Sequence, residues 1–486
     1  MSLDKLAEIV GSDNALDTSS LLDEYEGDLS FAEKSRPACV ARPGNIAELQ
    51  RIVNWANDTL TPLVPVSSGS PHFRGDTVPG ADGAVIVDMR RMDRIIRVDY
   101  RNRVAMVEPG VTFGMLQEEL IKKGLCAYMP LLPRESKSVI GSMLEREPII
   151  RPGHHWDSCD PLLCTEVVFG TGDKFRTGEA SGPDTVEEQW EMDRVQMNPF
   201  GHSHVDFHRL LSGAQGTLGI VTWATLKCSY ASELSRSLLV PSQTIEPLIE
   251  LAYKFTLYRF GGAMFILNSM NLACILGRNI DDITEIIQGF PPWILFASFE
   301  GYGILPEEKA ACEEEDFMEI AHSYDLKPSA SIADVNAEEL SALLPHPSSE
   351  PYWKNRFKGA FQDLFFLTTL DKCADFMAVI NKMTGKYNFT SENIGIYIQP
   401  IVQGTGCHCE FNLYYDPANA NDEEEIKRII TAGSEDIAEI GGFFSRPYTV
   451  WKDAAYRRAP GTMDIQRNVK KIFDPNGILN PGKLCF

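Results

Sequence analysis

Ten residues at positions 61–70, TPLVPVSSGS, set the tightest limit on how this chain can fold. A short strand ends there in serine and glycine, and a second, β-branched strand, AVIVDM (84–89), follows a loop rich in Gly and Pro. Small residues after a strand let backbone N–H groups approach an anion, because no bulky side chain stands between. The stretch has neither the Gly-Lys-Ser/Thr of a Walker loop nor a Gly-x-Gly-x-x-Gly fingerprint. Two readings stay open, a phosphate cradle and an ordinary loop.

The surrounding pattern supplies the layers. DKLAEIVG near the start and NIAELQRIVNWANDT (45–59) place apolar residues at helical spacing. RIIRVDYRNRVAMVEPGVT (94–112) alternates as a hairpin does, FGMLQEELIKKG (113–124) returns to helix, and CTEVVFGTGDKFRTGE (164–179) reads as a second hairpin. After GTLGIVTWATLKCSY (216–230), longer helices alternate with strands such as WILFASFEG, GIYIQPIV and CHCEFNLYYD. That alternation predicts an antiparallel sheet covered by helices, and hence a second α+β domain. At 486 residues the chain exceeds one small core. The expected parts are a helical segment over 1–35, a first domain over 36–230, a second over 231–440, and a C-terminal segment over 441–486.

A formal charge of −23 argues against nucleic acid or an anionic membrane as partner, since both attract basic patches. Eleven cysteines without framework spacing fit the scattered reduced thiols of a cytoplasmic protein. The start, MSLDKLAEIVGSDNAL, lacks a basic segment followed by an apolar run, so no signal peptide is expected. No stretch reaches the ~18 uncharged apolar residues of a membrane span.

Five blocks in order narrow the choice: VPVSSGS, VIVDMRRMDRIIRVD, VAMVEPGVTFGMLQEEL, GAQGTLGIVTWATLK and DPNGILNPGK. The series resembles the FAD-linked oxidases of the vanillyl-alcohol oxidase/4-cresol dehydrogenase superfamily, over roughly residues 36–230 and 440–486. GSMLEREPIIRPGHHWDSCDPLLCTEVVFGTGDKFRTG looks most like its 4-alkylphenol branch. The resemblance implies a two-domain α+β fold of the PCMH type, in which the N-terminal half and C-terminal tail bind FAD and the middle caps the flavin ring. It implies that Ser67, Ser68, Gly69, Ser70 and Pro71 wrap the FAD pyrophosphate. Pro109 and Gly110, then Gly141, Ser142 and Met143, then Gly216, Gly219, Ile220 and Val221 would line its adenosine and ring portions. A tight turn between helix and strand is a second reading of Gly216 and Gly219. The implied activity removes a hydride from an activated carbon of a para-substituted phenol or related aromatic alcohol. A homodimer is expected with it, reoxidised by a cytochrome, a quinone, an electron-transfer flavoprotein or oxygen.

Where the alkylphenol enzymes carry Tyr-Gly-Asp/Glu-His, with the acid near flavin N5 for proton transfer, this chain has Pro152-Gly153-His154-His155. His154 keeps a titratable group with a pKa near neutrality there. Flavin packing and metal ligation are its other readings, and Gly153, His155 and Asp157 would contact the cofactor or hold the loop. The branch's first phenolate-binding tyrosine falls at Arg74, and its Tyr-Arg pair at Tyr448-Thr449, with Arg446 close by. Two arginines and a tyrosine suit an anion clamp, because guanidinium pairs bidentately with carboxylate. Surface ion pairs are the plainer alternative.

In CHCEFNLYYD (407–416), His408, Glu410 and Asn412 share one strand face and Cys407 and Cys409 the other, so one strand cannot bring Cys-His-Cys to one ion. In the glycolate oxidase/D-lactate dehydrogenase branch, histidines and a glutamate here help bind a divalent metal and the 2-hydroxy acid. That branch's motifs are incomplete here, so no metal is expected, and His408 and Glu410 stand as pocket candidates. Ser70 and Gly395 occupy the places where relatives link FAD covalently, which predicts noncovalent FAD, with Tyr397 as the nearest alternative link. The competing functions are a 2-hydroxy-acid dehydrogenase, a metal-dependent hydrolase built on HHWD and CHC, and a flavin-binding subunit without chemistry of its own.

Overall fold

A computed structural model of the protein describes residues 2–152, 161–182, 185–194, 199, 201, 207–387, 389–401 and 406–486. Gly153, His154, His155 and Asp157 lie outside the described residues. The Leu63–Val66 strand runs parallel to Val85–Asp88, which runs parallel to Cys39–Ala41, and Ala15–Leu16 adds an antiparallel outer strand. The helix Ile46–Thr59 begins where the Asn45 side chain accepts from the Glu48 N–H, a cap that satisfies one of the free amides of the first turn. Its buried Leu49, Ile52, Val53 and Ala56 form the single stripe expected of an amphipathic helix. The free edge of Leu63–Val66 is closed from the far end of the chain. Leu63 N–H donates to the Ile478 carbonyl (2.7 Å), and Asn480 N–H donates to the Leu63 carbonyl (2.8 Å).

The second sheet is antiparallel, in the order Ile95–Asp99, Val104–Val107, Gly219–Tyr230, Leu162–Phe169, Lys174–Arg176, with Leu125–Ala127 paired to the end of Gly219–Tyr230. The two hairpins expected at 94–112 and 164–179 are both part of it.

The third sheet has six antiparallel strands in the order Leu234–Ser242, Trp293–Gly301, Met264–Asn268, Ile394–Ile401, Gly406–Tyr415, Ala360–Thr368. The helices Glu246–Tyr258, Pro306–His322, Cys373–Lys386 and Ala420–Glu439 cover one face. The opposite face packs Phe265, Phe296 and Tyr397 with Leu131, Leu132 and Ile150 from the first half of the chain. This is the helix-covered antiparallel sheet the sequence predicts, and the fold is α+β. No helix among the described residues is long and apolar enough to cross a membrane.

Strand alternation sets up the site. On Gly406–Tyr415, Cys407, Cys409, Phe411 and Leu413 enter the helix-covered core, so His408, Glu410 and Asn412 must face the other way. All three are buried, and Asp363 and Gln399 on the neighbouring strands are buried with them.

Candidate functional site

Buried charges require partners, and these find one another across the sheet. Register places Asp363 beside Asn412 and Phe365 beside Glu410. The Lys354 ammonium donates to Asp363 Oδ1 at 3.1 Å and also to Glu410 Oε1. Arg74 reaches the other side of the same carboxylate, Nη1 to Asp363 Oδ2 at 2.9 Å. His408 Nε2 lies 2.9 Å from Glu410 Oε2, and Asn412 Nδ2 donates to Glu410 Oε1 at 2.7 Å. Burial alone would lift Glu410, but Lys354 and His408 hold it well below the usual carboxylate range. Burial likewise works against the Lys354 ammonium, and Asp363 and Glu410 overcome it, raising its pKa. For His408 burial wins, and the imidazole titrates below its ordinary value.

This cluster forms one wall of a partly open cavity of about 160 Å³ between the third sheet and the loop after Leu63–Val66. Phe73 stacks on Phe361 with centroids 5.0 Å apart, and Tyr352 packs beside them. The guanidinium carbons of Arg74 and Arg446 lie 4.5 Å and 4.1 Å from the Phe365 ring centroid. Arg134 donates to the Gly69 carbonyl at 3.1 Å and stacks over Phe73. Lys137 binds Glu145 (2.9 Å) and Glu147 (3.5 Å) on the opposite wall. Against its burial, Lys137 and Arg446 pull Glu147 down to about 2. His72 also lines the cavity; burial, then Arg134 and Lys137, lower it to about 3, so the ring is neutral at pH 7.

A second chamber of about 120 Å³ shares Pro65, Val66, Ser67, Asp76, Gly141 and Glu145 with the first, so the two adjoin. Its walls include Pro109, Ile140, Gly213, Gly216, Gly219, Ile220, Val221 and Tyr448. Gly216 has φ +68°, and a Cβ there would lie 2.4 Å from Pro65 Cγ. Glycine is therefore required for both the turn and the close approach, so the two readings of this residue are compatible. The buried Lys470 ammonium fastens this wall to the C-terminal segment, donating to the carbonyls of Thr217 (2.6 Å) and Leu479 (2.7 Å) and to Asp474 (2.6 Å). Asn480 lines the chamber with a buried Oδ1 that has no partner. A glycine-walled slot with an orphaned acceptor fits a long, flat ligand with polar edges.

The structure thus brings Arg74, Arg446 and Glu410 to the first chamber and Tyr448 to the second. His408 stands behind Glu410 and is not part of the cavity wall. Of the loop, Ser67 and Ser68 face the cavity, the Gly69 N–H is taken by the Ser136 carbonyl (3.0 Å), and Ser70 is exposed, followed by Pro71. Gly110 sits where a Cβ would touch the Arg90 and Met92 carbonyls at 2.7 Å. Ser142 donates to Glu147 at 2.5 Å, and Met143 joins the core beneath. Gly395 packs against Asn271, and the Tyr397 hydroxyl donates to Gln399 at 2.9 Å. Arg74 does form an ion pair, but with buried Asp363 and not with a surface carboxylate. Sequence reasoning missed Asp76, Arg134, Lys354 and Asp363. A charged residue inside the apolar strand AFQDLFFL was the signal for Asp363, and no local pattern marks the others.

An FAD binding domain family matches residues 37–178, and the C-terminal domain of FAD linked oxidases matches 368–484. The chain is 25% identical to D-lactate dehydrogenase of Anaerostipes hadrus, over 96% of this chain and 94% of that one. It is 24% identical to a glycolate oxidase subunit of Bacillus subtilis, over 99% and 96% of the two chains. The structure of p-cresol methylhydroxylase with substrate bound superposes with a TM-score of 0.85 at 17% identity, covering 100% of this chain and 96% of that one. An isoeugenol complex of 4-ethylphenol oxidase from Gulosibacter chungangensis gives 0.82 at 18% identity, covering 99% and 96%. With residues of both family matches lining these adjoining chambers, the chain belongs to the PCMH-type FAD-linked oxidases and dehydrogenases, an oxidoreductase of CH–OH or CH groups whose cofactor is FAD.

Proposed function

We propose that the chain is an FAD-linked dehydrogenase of a small 2-hydroxy acid. The observation that carries this reading is Arg446. Its side chain is buried on the wall of the first chamber, its Nε has no partner, and it makes no hydrogen bond or ion pair to a carboxylate among the described residues. Glu147 feels its charge, but a buried guanidinium that no carboxylate contacts directly has its donors free for an anionic ligand. A substrate carboxylate on Arg446 would place its hydroxyl toward the Lys354 ammonium, already fixed between Asp363 and Glu410. In that place Lys354 supplies the positive charge that a divalent metal gives the glycolate oxidase/D-lactate dehydrogenase branch. Two further relations support the choice: the likeness to D-lactate and glycolate enzymes, and the many charged side chains lining a chamber that an alkyl chain would desolvate at a loss.

We assign FAD to the part built from 36–230 and 441–486, with Ser67, Pro109, Gly141, Gly216, Gly219, Ile220 and Val221 along its slot. Bound there, FAD supplies the hydride acceptor. The residues hold the substrate's charge, orient its hydroxyl and, with the Phe73–Phe361 pair, exclude water. We further propose that the FAD is noncovalent and comes free on acid precipitation. An external electron acceptor and a homodimer rest, as proposals, on the family resemblance, and a cytoplasmic location rests on the scattered cysteines.

A para-substituted phenol is the second reading. It is favoured by the aromatic wall of Phe73, Phe361 and Tyr352, and by Arg74 at the place of the alkylphenol enzymes' tyrosine. Anaerobic mixing with panels of 2-hydroxy acids and of 4-alkylphenols decides between them. Bleaching of the flavin absorbance by the acids alone is expected; bleaching by the phenols alone would overturn the hydroxy-acid assignment.

A further inference from the structure

We propose that Asp76 accepts the proton released from the substrate's hydroxyl and passes it out of the buried chamber to a cleft on the surface. The proposal rests on the hydroxy-acid reading above and concerns a residue that the anion-binding cluster does not use. Among the described residues Asp76 alone belongs to three walls: the first chamber, the second chamber, and an open cleft of about 810 Å³ beside the C-terminal segment. Arg74 also lines the first chamber and the cleft, but its guanidinium stays protonated, so among the described residues Asp76 is the side chain there that can exchange a proton between inside and outside.

The surroundings leave this carboxylate free to act. Only the backbone carbonyl of Asp76 is engaged, accepting from Asn480 Nδ2 at 3.1 Å. Its carboxylate makes no hydrogen bond or ion pair among the described residues, in contrast to Asp363 and Glu410. The charged groups facing it come from four segments. Glu145 and Lys137 stand at the two ends of the Val139–Leu144 helix and bind each other at 2.9 Å. Asp28, from the N-terminal segment, accepts from the Gly75 N–H at 2.6 Å, and Lys483, from the C-terminal segment, donates to the Gly75 carbonyl at 2.7 Å. Arg74, on its own loop, is held by Asp363. Burial, then the Glu145 carboxylate, push Asp76 up to about 6, against the pull of Lys137 and Lys483. A base with a pKa near the working pH can both take and release a proton efficiently.

The step balances as follows. FAD, held in the slot, would supply the two-electron acceptor for the hydride released when the substrate's C–H bond breaks. The O–H bond breaks, the carbon–oxygen double bond forms, and the proton joins an Asp76 carboxylate oxygen. Water in the cleft then takes that proton, and Asp76 returns to its ionised state.

The test uses the FAD-loaded Asp76→Asn, Asp76→Glu and Asp82→Asn proteins, the last altering an exposed carboxylate of the outer cleft. Without substrate, flavin absorbance is titrated against pH. Wild type should show an ionisation centred near 6, absent in Asp76→Asn and kept in Asp76→Glu and Asp82→Asn. With a reducing 2-hydroxy acid, single-turnover reduction in wild type should slow as pH falls below that value, because a protonated carboxyl cannot accept. Asp76→Asn should be slower by about 10²-fold and lose that acid limb. Should Asp76→Asn retain the spectral titration and the wild-type acid limb, the relay is wrong. Failure of every hydroxy acid to reduce wild type removes the relay together with the substrate assignment. Failure confined to the relay leaves wild-type reduction intact.

Discussion

Replacing Lys354 by methionine keeps the length of the side chain and removes its charge from between Asp363 and Glu410. The ammonium is 3.1 Å from Asp363 Oδ1, and the side chains of Lys354, Asp363 and Glu410 are only 7%, 2% and 7% exposed. Removing one member of a buried ion network costs about 3–5 kcal/mol, because the partner charges stay behind without compensation. Arg74 still holds Asp363, and His408 still holds Glu410, which places the expected loss near ~3 kcal/mol. Against a typical total of ~5–15 kcal/mol this is a large fraction. The pH dependence has a definite sign. Glu410 titrates below its unfolded value, so the stability it contributes is full above about pH 4.3 and is lost as pH falls through the folded value. In Lys354→Met the folded value rises toward the unfolded one, so the variant starts less stable, loses less on acidification, and completes that loss at higher pH. Urea unfolding of the FAD-loaded variant and wild type between about pH 3 and pH 8 measures both effects. The same variant should bind a reducing 2-hydroxy acid more weakly. If Lys354→Met matches wild type in midpoint across that range and in substrate KM, then Lys354 neither balances the two carboxylates nor serves the substrate.

Three further outcomes are expected. Arg446→Ala should raise substrate KM about 10–100-fold, the loss of a hydrogen bond to a charged group worth about 1.5–3 kcal/mol, with FAD content unchanged; steady-state kinetics with a cofactor assay checks it. Gly216→Val, at φ +68° with Pro65 Cγ 2.4 Å from its Cβ, should yield protein that has lost its flavin, read as the ratio of flavin to protein absorbance after gel filtration. His154 is the rival base that the sequence resemblance implies in place of Asp76; if it takes the proton, His154→Ala should slow flavin reduction by about 10²–10⁴-fold in stopped flow while flavin stays bound, and reduction at the wild-type rate leaves that role to Asp76.

Much of the architecture was legible in the sequence because it depends on local rules. Alternation and turn residues placed the hairpins at 94–112 and 164–179, and helical spacing over 45–59 placed the helix found at Ile46–Thr59. Alternation also assigned His408, Glu410 and Asn412 to one face and the cysteines to the other before any neighbour was known. The ordered glycine and proline blocks pointed to FAD through their resemblance to the FAD-linked oxidases; the small residues by themselves left a phosphate cradle and an ordinary loop both open.

What each charged side chain meets was decided by tertiary structure. Lys354 lies in a short turn whose sequence, PYWKNRF, carries no periodic mark, and it becomes the cation between Asp363 and Glu410 only when three separate segments converge. Arg74 and Arg446 looked equivalent as anion clamps. Folding gave Asp363 to the first and left the second, among the described residues, with no carboxylate in direct contact. Asp76 read as one more loop residue until the C-terminal segment, some four hundred positions away, closed over Leu63–Val66 and set it between two inner chambers and the outside. Periodicity and composition record whether a residue is buried. Which opposite charge stands within a few ångströms depends on contacts between distant parts of the chain, and at a low dielectric that contact decides protonation and function.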